Sequence, residues 1–171
     1  MLSVNNIYKS FNRLNILNDV SFSQKIGETI GLMGKNGSGK STLLRIISRI
    51  MKADSGSIVF NNHDLLSSNS LHRKNMFYIG HDPGMYSFFS PFENLKFLLK
   101  TRELSSKIKN INEKLDYYGL IEFSNTPISV FSKGMLQKLK LAQIDLINPD
   151  LLLFDEPYTS CLLYTSPSPR D

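Results

Sequence analysis

Gly34-Lys35-Asn36-Gly37-Ser38-Gly39-Lys40-Ser41 sets glycines, a lysine and a hydroxyl at the spacing of a phosphate-binding loop. Glycines let the backbone curl until successive N–H groups point at one anion. A helix beginning near Lys40 would add the positive end of its dipole to the same anion. Lys40 can then reach the β- and γ-phosphates of a nucleotide, and the Ser41 hydroxyl can ligate Mg²⁺. The candidate nucleotide-binding set is Gly34, Asn36, Gly37, Ser38, Gly39, Lys40, Ser41 and Thr42.

A second acidic feature completes that chemistry. The apolar run Leu151-Leu152-Leu153-Phe154 ends in Asp155-Glu156. At the end of a buried strand beside a phosphate loop, Asp155 would hold Mg²⁺ and Glu156 would polarise an attacking water as general base. A third segment, Phe131-Ser132-Lys133-Gly134-Met135, precedes an amphipathic stretch. Taken alone, Ser132 reads as a helix cap; Ser132 and Gly134 together also suit a second anion cradle.

These groups need elements to position them. Apolar pieces at residues 2–8 and 16–22 read as strands, and a polar turn at 24–28 follows. Thr29-Ile30-Gly31-Leu32-Met33 has the pattern of a buried strand leading into the glycine loop. Leu43, Leu44, Ile46, Ile47 and Ile50 recur at helical spacing from Lys40 onward. Residues 56–60 and 77–79 read as further strands. From Pro91 the period becomes helical: Phe92, Leu95, Phe97, Leu98 and Leu99 mark one helix, and Ile108, Ile111, Leu115 and Tyr118 a second. Residues 135–147 form a third helix that stops before Pro149. The fold class expected is α/β, a P-loop NTPase core with a helical insertion over about residues 86–147.

The composition sets limits on function. The 171 residues are about one domain's worth, 41% hydrophobic and 20% charged. Those proportions exclude collagen-like, coiled-coil and wholly disordered classes. No apolar run approaches the roughly 18 residues of a membrane span, so a membrane role must act through a partner. The formal charge is +5, but acids interleave the bases and no like-charge block marks a tail. A solvated surface accounts for it, and no nucleic acid partner is expected. One cysteine, Cys161, excludes disulfide scaffolds and multi-cysteine zinc sites.

Taken in order, the phosphate loop, helical segment, Ser-x-Gly helix start and Asp-Glu strand resemble the ATP-binding subunit of ABC transporters, over about residues 2–160. The resemblance implies ATP and Mg²⁺ as cofactors and an integral-membrane transporter subunit as partner. It also implies a second copy of the subunit, facing the first head to tail at the cytoplasmic face of the membrane. Ser132-Lys133-Gly134-Met135 stands at the family's signature loop, where a double glycine is usual, so Ser132 and Gly134 would contact the γ-phosphate across the pair. Phe11 stands where an aromatic ring stacks on adenine, with Tyr8 as the fallback. His81 stands where most members carry a Mg²⁺-linking glutamine, and imidazole is a poorer ligand for that hard ion. Tyr78-Ile79-Gly80-His81 with Pro83-Gly84, followed by Glu93-Asn94-Leu95-Lys96-Phe97, resembles the haem-exporter branch used in cytochrome c maturation. Other ABC exporters share the Ser-Lys-Gly-Met signature.

Past Ser160 the sequence leaves the family pattern. Residues 161–171 have no helical or strand period and include two Ser-Pro steps; they resemble translated sequencing-adapter DNA and are read as a non-native tail. The resemblance places a dimer-contact Asp and a switch His beyond that point, so this stretch is expected to bind nucleotide without turnover while its native parent hydrolyses ATP. The rival class is ABC-type ATPases acting on DNA or ribosomes. No sustained heptads lie between Lys40 and Asp155, which disfavours the coiled-coil DNA-repair type.

Overall fold

Alternation of apolar and polar residues builds the first sheet. The computed structural model describes residues 1–66, 75–80 and 84–155. Strand β1 (Leu2–Phe11) buries Leu2, Val4 and Ile7, and β2 (Leu14–Gln24) returns antiparallel beside it. Asn12 and Arg13, with φ of 46° and 69°, form the two-residue turn between them; such tight hairpins need left-handed residues, which Asn tolerates. The hairpin is longer than its apolar pieces suggest, because its tip carries polar residues. Strand β3 (Ser55–Phe60) pairs antiparallel with β1, and the short β4 (His63–Asp64) closes the order β2-β1-β3-β4. Gly56 is required where these strands meet: its φ is 107°, and a Cβ there would lie 2.5 Å from the Asn6 carbonyl oxygen.

Helix α1 (Lys40–Ile47) buries Leu43, Ile46 and Ile47 in the same core. It ends sooner than the apolar spacing predicts, leaving Ile50 exposed beyond Arg49, whose φ of 60° breaks the helix. Strands β5 (Met76–Ile79) and β6 (Leu151–Phe154) pair as a separate two-stranded sheet, with Met76, Leu151 and Leu153 in the core.

One sequence expectation fails here. Residues 29–33 are not a strand: Ile30 is 39% and Met33 96% exposed, and only Leu32 packs against the core. An apolar run becomes a strand only when a neighbour supplies its ladder hydrogen bonds. Among the described residues both sheets are made without it.

The chain divides into two compact units, Met1–Tyr78 with Asp150–Asp155 and, separately, a second unit that includes Ile79–Pro149. The second unit is helical. Helix α2 (Pro91–Thr101) starts with a capping box, Ser90 Oγ accepting from the Glu93 N–H and Glu93 Oε2 accepting from the Ser90 N–H, with proline at the first position. The second expected helix divides into a 3₁₀ turn over Ser105–Asn110 and α3 (Ile111–Tyr117). Helix α4 (Lys133–Ile147) stops at Asn148 (φ 51°), and Lys107 Nζ donates to the free carbonyls of Leu146 and Ile147 at 2.8 and 3.1 Å. Leu95, Leu99, Ile111, Leu115, Leu139, Ala142 and Leu146 make this unit's own core.

Candidate functional site

The glycine loop is shaped from both ends. At its start the Ser38 N–H donates to the Lys35 carbonyl at 3.1 Å, closing a turn. At its end Gly39 takes φ 90°, and a Cβ there would stand 2.7 Å from Leu17 Cδ2, so β2 packs directly against the loop. Gly39 is also the N-cap of α1. It offers no side-chain cap, and the first turn carries no acidic residue, so the helix's positive end is left for an anion. Lys40 Nζ donates to the Gly34 and Lys35 carbonyls at 2.8 and 2.9 Å, which holds the ammonium over the loop's own backbone.

The fold brings Ser41 and Asp155 together across 114 residues of sequence: the Ser41 hydroxyl donates to Asp155 Oδ1 at 2.8 Å. Asp155 is 6% exposed at the end of β6. Its second oxygen, Oδ2, accepts from the Tyr78 hydroxyl at 2.9 Å. Burial pushes the Tyr78 phenol up, and the hydrogen bond and charge of Asp155 add to that, while Arg45 opposes it. Tyr78 in turn pushes the Arg45 guanidinium up. The sequence alone sets Tyr78 in a strand and in the motif that resembles the haem-exporter branch, not at the phosphate site, and gives no role to Arg45. Their signal was Arg45 five residues beyond Lys40 and Tyr78 on the strand beside Asp155, both decipherable only with the β5–β6 pairing known.

A hydroxyl and a carboxylate are hard oxygen donors suited to Mg²⁺. Among the described residues no three His, Cys, Asp or Glu converge. One or two protein oxygens completed by water and phosphate is the usual Mg²⁺ arrangement, and Ser41 with Asp155 fits it.

Phe11 lies at the end of β1, 41% exposed, opposite Leu14 in the hairpin. Lys9 Nζ stands 5.3 Å above its ring centroid. Asp54 fixes that strand end: it accepts from Lys9 Nζ at 2.6 Å, the Ser10 N–H at 2.7 Å and the Ser10 hydroxyl at 2.9 Å. The Lys9 and Ser10 hydrogen bonds hold the Asp54 carboxyl down at about 2. Tyr8 is also exposed, but its carbonyl oxygen is taken by the Asp54 N–H.

In the helical unit Ser132 is the N-cap of α4, its Oγ accepting from the Met135 N–H at 3.2 Å. The hydroxyl proton remains to donate outward. Gly134 lies in the first turn, where a Cβ would meet only Ser132 Oγ at 3.9 Å. Lys140 Nζ donates to the Gly80 carbonyl at 3.2 Å, tying α4 to the backbone just before His81. His81 and Glu156 lie outside the described residues, as do residues 161–171.

Within the motif that resembles the haem-exporter branch, residues 93–95 also hold the fold. Glu93 completes the capping box and Leu95 is fully buried. Asn94 binds the loop before α2, accepting from the Tyr86 N–H at 2.8 Å and donating to the Tyr86, Phe89 and Ser90 carbonyls at 3.0, 3.2 and 3.1 Å. That loop displays Tyr86 and Phe89 in ring contact with Phe97, beside an 85% exposed Phe88.

Comparison with known proteins agrees with this geometry. The sequence matches the family model described as ABC transporter over residues 17–159. It is 33% identical over 159 residues to the linearmycin resistance ATP-binding protein LnrL of Bacillus subtilis, covering 92% of this chain and 51% of that protein. It is 28% identical over 160 residues to the cytochrome c biogenesis ATP-binding export protein CcmA of Escherichia coli O157:H7, covering 94% and 75%. A solved structure of the ATP binding subunit of an ABC transporter superposes with a TM-score of 0.83 at 28% identity, covering 94% of this chain and 68% of that one. The chain spans about half the length of LnrL. The haem-exporter type is therefore one of several equally similar branches.

Proposed function

The chain belongs to the ABC transporter family of ATP-binding domains, and on that premise we propose that it binds ATP with Mg²⁺ and serves, as one of a pair, to power a membrane exporter. The observation that carries this reading is the Ser41–Asp155 contact at the foot of the glycine loop. It sets two hard oxygens beside the place where Lys40 and the α1 N-terminus would receive phosphates. Bound there, Mg²⁺ would supply charge neutralisation of the β- and γ-phosphates.

The remaining roles follow from the residues. The loop N–H groups and Lys40 bind and orient the phosphate chain, with Asn36, Ser38 and Thr42 beside them. Phe11 offers a face for adenine. Glu156 orients and deprotonates the attacking water. Ser132 keeps its cap through Oγ while its O–H, with the Gly134 backbone, donates to the γ-phosphate held by the other copy. The exposed aromatics Tyr86, Phe88, Phe89 and Phe97, with the residues around His81 and the helices from Pro91 to Tyr118, form the surface for an integral-membrane subunit. No described helix is long and apolar enough to cross a membrane itself. Attachment at the cytoplasmic face follows from that partner.

For cargo, the haem-exporter reading rests on the residues around His81 and on the likeness to CcmA. A resistance-type exporter is the second reading, supported by the likeness to LnrL. Restoration of covalently bound haem in a strain lacking its own cytochrome c maturation ATPase supports the first; failure there with restored antibiotic resistance supports the second. Substituting Glu156→Gln in a chain carried to the length of its relatives should leave ATP binding intact and trap the pair. Wild-type phosphate release by that variant would contradict Glu156 as the base.

A further inference from the structure

We propose that Tyr78, backed by Arg45, is a positioning residue for the Mg²⁺ edge of this site: its hydroxyl fixes the Asp155 carboxylate so that Oδ1 faces Ser41. The inference rests on the nucleotide-binding reading above and assigns a task to two residues outside the glycine loop and the acidic strand end.

A carboxylate on a strand end turns about its last side-chain bond, and one contact does not set its plane. Asp155 has a contact on each oxygen, Ser41 on Oδ1 at 2.8 Å and Tyr78 on Oδ2 at 2.9 Å. The Tyr78 contact comes from the neighbouring strand, so the β5–β6 pairing holds ring and carboxylate in register. Arg45, on α1, sets its positive charge toward the Tyr78 oxygen. The Tyr78 proton is given to Asp155 Oδ2, which leaves the phenol lone pairs to face that charge. The result is a relay of charge and hydrogen bond, guanidinium to phenol to carboxylate, that joins α1, β5 and the end of β6. It occupies the oxygen that Ser41 does not use, and therefore persists when Ser41 and Oδ1 turn to a cation. Groups behind a metal ligand fix its orientation in this way, and their loss costs about 10- to 100-fold in metal affinity.

The alternative is packing, since Tyr78 is also partly buried against the core of the first unit. Tyr78→Phe separates the two because it keeps the ring. The probe is mant-ATP, titrated into the 171-residue chain in saturating Mg²⁺ and again in EDTA. The readout is the ratio of the two dissociation constants. Tyr78→Phe should reduce the Mg²⁺-dependent gain about tenfold while leaving the EDTA affinity unchanged. Arg45→Ala, a change at an exposed position that does not threaten folding, should reduce it in the same direction by about two- to threefold. Asp155→Asn sets the floor. An unchanged ratio in Tyr78→Phe overturns the proposal, and so does an equal loss with and without Mg²⁺, which would make Tyr78 a support of the loop alone. If the unsubstituted chain shows no Mg²⁺-dependent gain, the nucleotide reading itself fails and takes the relay with it.

Discussion

Ser41 and Ser132 are the same residue type at the same kind of place, the first turn or cap of a helix with a glycine within two residues. Their partners differ. Ser132 bonds its own helix three residues on, whereas Ser41 bonds Asp155, 114 residues away. The first helix has neither a side-chain cap nor an acid in its opening turn; the second has its cap in place. A helix start left uncapped inside a glycine loop is arranged for a ligand. One that is already capped stands without a ligand and needs a second surface to use its remaining donor. On the proposed reading the phosphate-binding groups from Gly34 to Thr42 and Asp155 belong to one unit, and the signature segment, in the other, would be half of a site.

Substitutions can break that contrast. Gly39→Ala should have the largest effect. A Cβ 2.7 Å from Leu17 Cδ2 at φ 90° costs about 1–3 kcal/mol in thermal unfolding, and mant-ATP binding should disappear with the loop's shape. Ser132→Ala should cost about 1 kcal/mol through the lost cap and leave mant-ATP binding by the single chain unchanged. Ser132→Asp sharpens the same point: aspartate caps as well as serine, so unfolding should match the wild type. ATP-dependent pairing, measured by light scattering on a chain of the relatives' length, should nevertheless be lost, because the new charge faces phosphate. If Ser132→Asp pairs normally, the cap is all that Ser132 provides.

The smallest effect concerns the strand end below Phe11. The Asp54 carboxyl is lowered from 3.8 to about 2, so its contribution is fully present above pH 4 and fades as pH falls through 2. Asp54→Asn should lower the melting temperature slightly at neutral pH, and the gap to wild type should close between about pH 4 and pH 2. A gap that persists unchanged at pH 2 would show that charge is not its cause.

What could be read from the sequence follows the same division between local and distant contacts. The glycine loop, the helix starts at Pro91 and after Ser132 and the stop before Pro149 are local, and each is where its residues place it. The strand expected at residues 29–33 failed because an apolar pattern records the wish for burial, while a strand also needs an edge to pair with. Tyr78 and Arg45 were invisible as site residues because their meaning depends on β5 pairing with β6. Glu93 and Asn94 carry a second meaning that the resemblance to a branch did not show: they make a capping box and a loop staple.

The most direct test of the account is equilibrium binding of mant-ATP with Mg²⁺ to the wild type, Lys40→Ala and Ser132→Ala side by side. Lys40→Ala should weaken binding by about 2–3 kcal/mol, since a charge-assisted contact to phosphate is lost. Ser132→Ala should bind as the wild type does. Equal binding by Lys40→Ala and wild type, or a loss confined to Ser132→Ala, would contradict the claim that the first unit alone holds the nucleotide.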